Sequence, residues 1–283
     1  MSYRAEGSAF FMSVKSGEHG ALYTYLVTAK HVIPDIQKDR SGIKARINTK
    51  AGRSEYVDVS SGWELSPTSD AAVLPFCPST KLDYHVLVPE FPLTDEMVRA
   101  KWIGIGDNLF TVGLFTKRVG EERNLPLVRS GIIAAMPDET VRDNHQGNYP
   151  SYLAEMRSIG GLSGSPVFVY LEPHRIVPPE HDEALKTWLE IHKEEFARTP
   201  PPLTEIRLLG IVRGTWTLTG SGRMLRFGER ELLALNSGIA LVTPIQDATR
   251  LLMSEKVMGK LCKLDEDITK DKLTIADSRP KGK

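Results

Sequence analysis

Three short stretches carry the residues that could do chemistry. The first is Gly160-Gly161-Leu162-Ser163-Gly164-Ser165-Pro166, followed at once by the apolar run Val167-Phe168-Val169-Tyr170. Glycines on both sides of a single serine let the backbone turn tightly and bring its N–H groups close to a ligand. On such a turn the Ser163 hydroxyl faces outward. The N–H groups of Gly161 and Ser163 can share one small space, where they would hold the negative oxygen of a tetrahedral intermediate. The competing reading is an ordinary Gly/Ser loop between strands. The second stretch is Tyr25-Leu26-Val27-Thr28-Ala29-Lys30-His31-Val32-Ile33, where a histidine arrives as a β-branched run ends. The third is Thr68-Ser69-Asp70-Ala71-Ala72-Val73-Leu74-Pro75, where an aspartate enters a short apolar strand.

Taken together, these stretches resemble the chymotrypsin-like (trypsin-like) serine peptidases. That family has a histidine after a Thr-Ala element, an aspartate before Ala-Val/Leu and a serine in Gly-x-Ser-Gly-x-Pro, in that order. The order His…Asp…Ser separates it from subtilisin-type and α/β-hydrolase triads. In flavour the chain is similar to bacterial Deg-type peptidase domains without a PDZ domain. The resemblance implies that Ser163 is the nucleophile and His31 its base. Asp70 would hold the imidazole tautomer, and Gly161 and Ser163 would form the oxyanion hole. It also implies that Leu208 to Trp216, with Val212, Arg213 and Gly214 at its centre, lines the substrate cleft. Arg157 and Ser158 would fall in the loop that shapes the primary specificity pocket. There Arg157 either favours an acidic side chain before the scissile bond or simply faces solvent. Asp58 is the rival acid, but it sits mid-strand between valines, where an outward-facing charge accounts for it.

Two departures stand out. Leu162 occupies the place where digestive members carry an aspartate that binds a newly cut N-terminus, so this chain is not expected to be activated that way. Ser165 replaces a usual glycine.

The fold implied by the resemblance is all-β: two six-stranded antiparallel barrels with the site in the seam, a C-terminal helix, and a helical insertion in the second barrel. The corresponding units are 1–95, 96–264 and a charged tail, 265–283. The pattern of the chain agrees. Short alternating strands fill residues 8 to 76, with Ile43–Ile47 and Tyr56–Val59 alternating apolar and polar. Prolines 78, 89 and 92 mark a connector over 77–99. Strands resume at Asn108–Phe115 and Leu127–Ala134, and the polar stretch Val141 to Ser151 reads as a loop beside a cleft. Gly104-Ile105-Gly106 lacks the third glycine and βαβ context of a nucleotide loop. Within 171–207, prolines bound an amphipathic helix from His181 to Arg198. It is either a surface insertion packed on its own barrel or a docking element for a regulatory partner. Ile245 to Leu264 has helical spacing.

Composition narrows the partners. The 283 residues carry 36 basic and 36 acidic side chains, so no electrostatic footprint for nucleic acid or an anionic membrane is present. No metal-ligand spacing occurs, and no cofactor is implied. Two widely separated cysteines, Cys77 and Cys262, and the lack of a leader or spanning run point to an intracellular, cytoplasmic protein. The expected partner is a protein or peptide substrate. Two other functions compete with serine endopeptidase. One is a catalytically silent fold that binds extended peptides by strand addition. The other is an α/β-hydrolase esterase, which needs a helix after the serine and its acid and histidine downstream.

Overall fold

Alternation along the first strands sorts their side chains onto two faces. Strands β1 (Phe10–Lys15) and β2 (Leu22–Thr28) pair antiparallel, with Phe10 opposite Val27 and Lys15 opposite Leu22. Phe10, Met12 and Val14 enter one apolar cluster with Tyr25 and Val27, whereas Phe11 and Leu26 enter a second. Successive side chains of a strand point to opposite faces, so a sheet covered on both sides needs apolar residues at odd and even positions alike.

In the computed structural model, which describes residues 5–15, 22–33, 42–114, 120–138, 140–143, 147–156, 161–172, 205–218 and 235–259, the protein is mostly β. The hairpin of β3 (Lys44–Asn48) and β4 (Ser54–Asp58) pairs only with itself. It supplies Ile47 to the second cluster. Strands β5 (Glu64–Leu65), β6 (Ala72–Pro75) and β7 (Val86–Leu87) complete a five-stranded sheet in the order β5-β6-β2-β1-β7.

The second half closes. Strands β8 (Asn108–Gly113), β9 (Leu127–Ala135), β12 (Tyr152–Glu155), β13 (Pro166–Leu171), β14 (Glu205–Leu218) and β15 (Leu235–Pro244) form a six-stranded antiparallel barrel in the order β12-β15-β14-β13-β8-β9. Ile133, Ala154, Val167, Val169, Leu209, Ile211, Ala240 and Val242 are buried in its core. They share one continuous cluster with Met12, Tyr25 and Val73 of the first sheet.

Several expectations change. Among the described residues the first half is an open sheet with a hairpin laid over it, not a second closed barrel, because β3 and β4 are joined only to each other. The polar stretch read as a loop contains a hairpin, β10 (Thr140–Asp143) with β11 (Gly147–Pro150). The proline-marked connector runs into a short helix, α1 (Asp95–Ala100), capped by Thr94, whose side chain accepts the Met97 N–H. The C-terminal helix is α2 (Ile245–Leu252). It stops at Met253 and Ser254 before a new helical turn over 255–259. The proposed helix from His181 to Arg198, Cys262 and the tail 265–283 lie outside the described residues, as does most of the insertion 171–207. Among the described residues no helix is long and apolar enough to cross a membrane.

Helix α2 and the turn after it tie the halves together. Lys256 pairs with the buried Glu64 of the first sheet at 2.5 Å, and Asp247 lies between Arg250 and Ser69. Burial raises the Asp247 carboxyl above its ordinary value, and Arg250 only partly offsets this. A raised carboxyl stabilises the fold below the unfolded pKa and loses that contribution as pH rises through the folded value. Asp247→Asn should therefore gain in stability relative to the parent between about pH 4 and about pH 7, read as urea midpoints at both values. A second test concerns Gly113 at the end of β8. A Cβ there would overlap the buried Ser165 hydroxyl and lie 2.8 Å from Leu162 Cδ2. Gly113→Ala should cost about 1–3 kcal/mol, and adding Ser165→Gly should recover most of it in urea unfolding.

Candidate active site

His31 sits where β2 runs out. After Thr28 and Ala29 the chain makes one 3-10 turn, Lys30–Val32, closed by Val32 N–H on the Ala29 carbonyl at 3.0 Å. Asp70 arrives from the turn before β6 and is 2% exposed. Its Oδ1 accepts the His31 backbone N–H at 2.9 Å, and its Oδ2 lies 2.7 Å from His31 Nδ1. The Asp70 carbonyl accepts the Lys30 N–H at 3.2 Å. A buried carboxylate must have partners, and both of its oxygens here are engaged by one residue. With Nδ1–H donating to Asp70, the imidazole's other nitrogen, Nε2, is left as the proton acceptor.

Asp58 has a different environment. It is exposed on β4, and hydrogen bonds from the Ser60 backbone and hydroxyl hold its carboxyl below the ordinary range.

The serine turn is built from its glycines. Gly161 has φ +100° and Gly164 φ +84°, a region that L side chains rarely adopt. Ser165 N–H donates to the Leu162 carbonyl at 2.9 Å, Gly164 N–H to the Val212 carbonyl at 2.8 Å, and Val212 N–H to the Ser165 carbonyl at 2.9 Å. Leu162 is buried in the main cluster. That burial contributes about 1.5–3 kcal/mol to holding the turn, beside the three hydrogen bonds just described. The Ser163 hydroxyl lies 3.4 Å from the Arg213 carbonyl, long for an O–H donor. Neither the Gly161 nor the Ser163 N–H has an acceptor among the described residues. The chain beyond the serine turn enters strand β13, where an α/β-hydrolase would have a helix.

The serine turn packs on the strand end that leads to His31. A Cβ at Gly164 would overlap the Ser8 carbonyl and the Thr28 hydroxyl and lie 3.2 Å from the Ala29 nitrogen. A Cβ at Gly7 would lie 2.7 Å from Val32 Cγ2 and 2.8 Å from the Ser163 carbonyl oxygen. The residue after His31 and the serine's own carbonyl thus meet across one glycine.

Of the residues expected to line a cleft, Val212 and Arg213 are fully buried, so their side chains line no open surface. Between Val212 and Gly214 the pairing of β14 with β15 shifts register, and Arg213 is the extra residue of this bulge. Its guanidinium lies 5.2 Å from the Tyr149 ring centre and donates to Ser151 Oγ at 3.2 Å. Lys30 Nζ approaches the same ring at 5.6 Å and donates to the Ser66 carbonyl at 2.8 Å. Gly214 is half-buried. Arg157 and Ser158 lie outside the described residues. Sequence reasoning passes over Gly7, Ser8 and Tyr149. The close Gly-Ser pair near the chain start is the only local hint of the first two.

No family model matches the chain, and no curated protein matches it. Among solved structures, the crystal structure of Deg5 is similar over 87% of this chain and 87% of that one, at 13% identity and a TM-score of 0.42. A likeness that distant carries no argument about this chain. The site's own packing makes a test: Gly164→Ala combines a disfavoured φ with overlap on the Ser8 carbonyl oxygen and the Thr28 hydroxyl that is bonded to it. It should cost at least about 2 kcal/mol in chemical unfolding.

Proposed function

We propose that the chain is a serine endopeptidase working through Ser163, His31 and Asp70. The observation that carries this reading is the double hold of Asp70 on His31, through the backbone N–H and through Nδ1. A structural histidine needs no buried carboxylate locked to both its backbone and its ring.

The chemistry follows from the three groups. A neutral hydroxyl is a weak nucleophile and needs a base. His31 Nε2 takes the Ser163 proton as Oγ bonds to the substrate's carbonyl carbon, and Asp70 stabilises the imidazolium that forms. The carbonyl oxygen becomes an oxyanion, for which the N–H groups of Gly161 and Ser163 are the available donors. Collapse breaks the C–N bond, and the imidazolium returns the proton to the leaving amine. Water, deprotonated by the same imidazole, then releases the acyl group and regenerates Ser163.

An extended substrate has a strand to join. β13 pairs with β14 only as far as Ile211, whereas β14 runs on to Leu218. Val212 is closed to a peptide, since its N–H and carbonyl bond Ser165 and Gly164. From Gly214 on, no described strand pairs with β14 on the side that β13 occupies, and this is the stretch we assign to strand addition, beside the serine. This edge supports a protein or peptide as the substrate. An exposed, unpaired Cys77 suits an intracellular setting. The same strand edge also supports the second reading, a silent peptide-binding module.

Labelling with a fluorophosphonate probe separates the two. Native protein should label, and Ser163→Ala should not label at all. Asp70→Asn should label roughly 10⁴-fold more slowly, the size of loss expected when the wrong tautomer faces the serine. Binding of extended peptides without labelling of the native protein would favour the module.

A further inference from the structure

Every polar group of Ser8 is used within the serine turn or its supports. The Ser8 N–H donates to the Ser163 carbonyl at 2.7 Å. Its hydroxyl donates to the Gly161 carbonyl at 2.8 Å and accepts the Leu114 N–H at 3.0 Å. Its carbonyl accepts the Thr28 hydroxyl at 2.7 Å. Ser8 is 6% exposed, and Gly7 beside it has no room for a side chain.

The placement of these bonds is specific. The two candidate oxyanion donors belong to the peptide units 160–161 and 162–163. The carbonyls held by Ser8 belong to the units that alternate with them, 161–162 and 163–164. Glycine at 161 leaves the backbone free to rotate, and its φ of +100° is one of many it could take. Fixing the Gly161 and Ser163 carbonyls therefore restricts the direction of both N–H groups. The Leu114 N–H occupies a lone pair of the Ser8 oxygen, which leaves the hydroxyl proton for Gly161.

We propose that Ser8 is a positioning residue that holds the oxyanion donors in register. Leu162, buried next to the serine, cannot form an ion pair, and Ser8 supplies the polar hold on the turn. This rests on the serine endopeptidase reading.

Full-length protein, Ser8→Ala, Ser8→Cys and Ser8→Thr are compared by active-site titration, steady-state kinetics on a peptide ester, affinity for a peptide boronic acid and thermal unfolding. Ser8→Ala should lower kcat per titrated site roughly tenfold to a hundredfold. KM should stay within about twofold, because the lost interaction acts in the transition state. Boronate affinity should fall by the same factor as kcat, since the tetrahedral adduct needs the same donors. Ser8→Thr, which retains a hydroxyl, should recover part of the loss, and Ser8→Cys, a weaker donor of similar size, should fall between. If Ser8→Ala does not fold, Ser8→Cys carries the comparison.

The proposal is overturned if kcat per titrated site is unchanged in the folded variants, or if the loss appears in KM or in the folded fraction alone. Should the unaltered protein fail to label with fluorophosphonate, the endopeptidase reading falls and this one with it. Labelling of unaltered protein and Ser8→Ala at equal rates removes the role of Ser8 alone.

Discussion

The site depends on a contact that only a hydrogen atom can fill. At Gly164 the serine turn meets the Ser8 carbonyl and the Thr28 hydroxyl with no space for a methyl group. Three stretches far apart in the chain converge there: the start of the first sheet, the end of β2 and the head of β13. Close packing lets such a junction set relative positions finely, because interiors resist deformation. The polar atoms at the junction are also satisfied. Thr28 donates to Ser8, Ser8 to Ser163, and Gly164 to Val212. Burial would otherwise penalise each of them.

The apolar clusters do the coarser work. One cluster runs from Met12, Tyr25 and Val73 of the sheet into Val167, Leu209 and Ile211 of the barrel, with Leu162 among them. The residue preceding the serine is thus part of the same core that joins the two halves. Charge is handled locally within this frame. Asp70 is paired with His31, Glu64 with Lys256, and the buried Arg213 lies on Tyr149 and Ser151. A molecule with zero formal net charge can still place a carboxylate in a dry site, provided a donor is already waiting there.

Legibility in the sequence tracks the range of each signal. His31 and Asp70 lie at strand ends announced by their own neighbours, and the glycines around Ser163 mark a tight turn without reference to anything distant. The barrel strands alternate clearly because one face of each is buried. Signals of long range were invisible. Ser8 reaches Gly161 across 153 residues, and nothing near Ser8 predicts it. The β10–β11 hairpin sets Val141 opposite Tyr149 on one face, and a single such pair is too short to show a period. The β3 and β4 stretches were legible as strands, but their pairing only with each other was not, since closure depends on which edges meet. Helix α2 ends early because Ser254 turns its hydroxyl back to the Leu251 carbonyl and its own carbonyl starts the next turn. The apolar stripe of Ile245, Ala248, Leu251 and Leu252 also meets Glu255 and Lys256 at the next turn, although apolar residues resume at Val257.

Two cations of different origin lie against the ring of Tyr149. Arg213 comes from the strand beside Ser163, and Lys30 is the immediate neighbour of His31. One aromatic face on the β10–β11 hairpin is thereby coupled to the backbone supporting the imidazole and to the bulge beside the hydroxyl. A displacement of the hairpin would therefore reach the segments that carry His31 and Ser163 through a single ring.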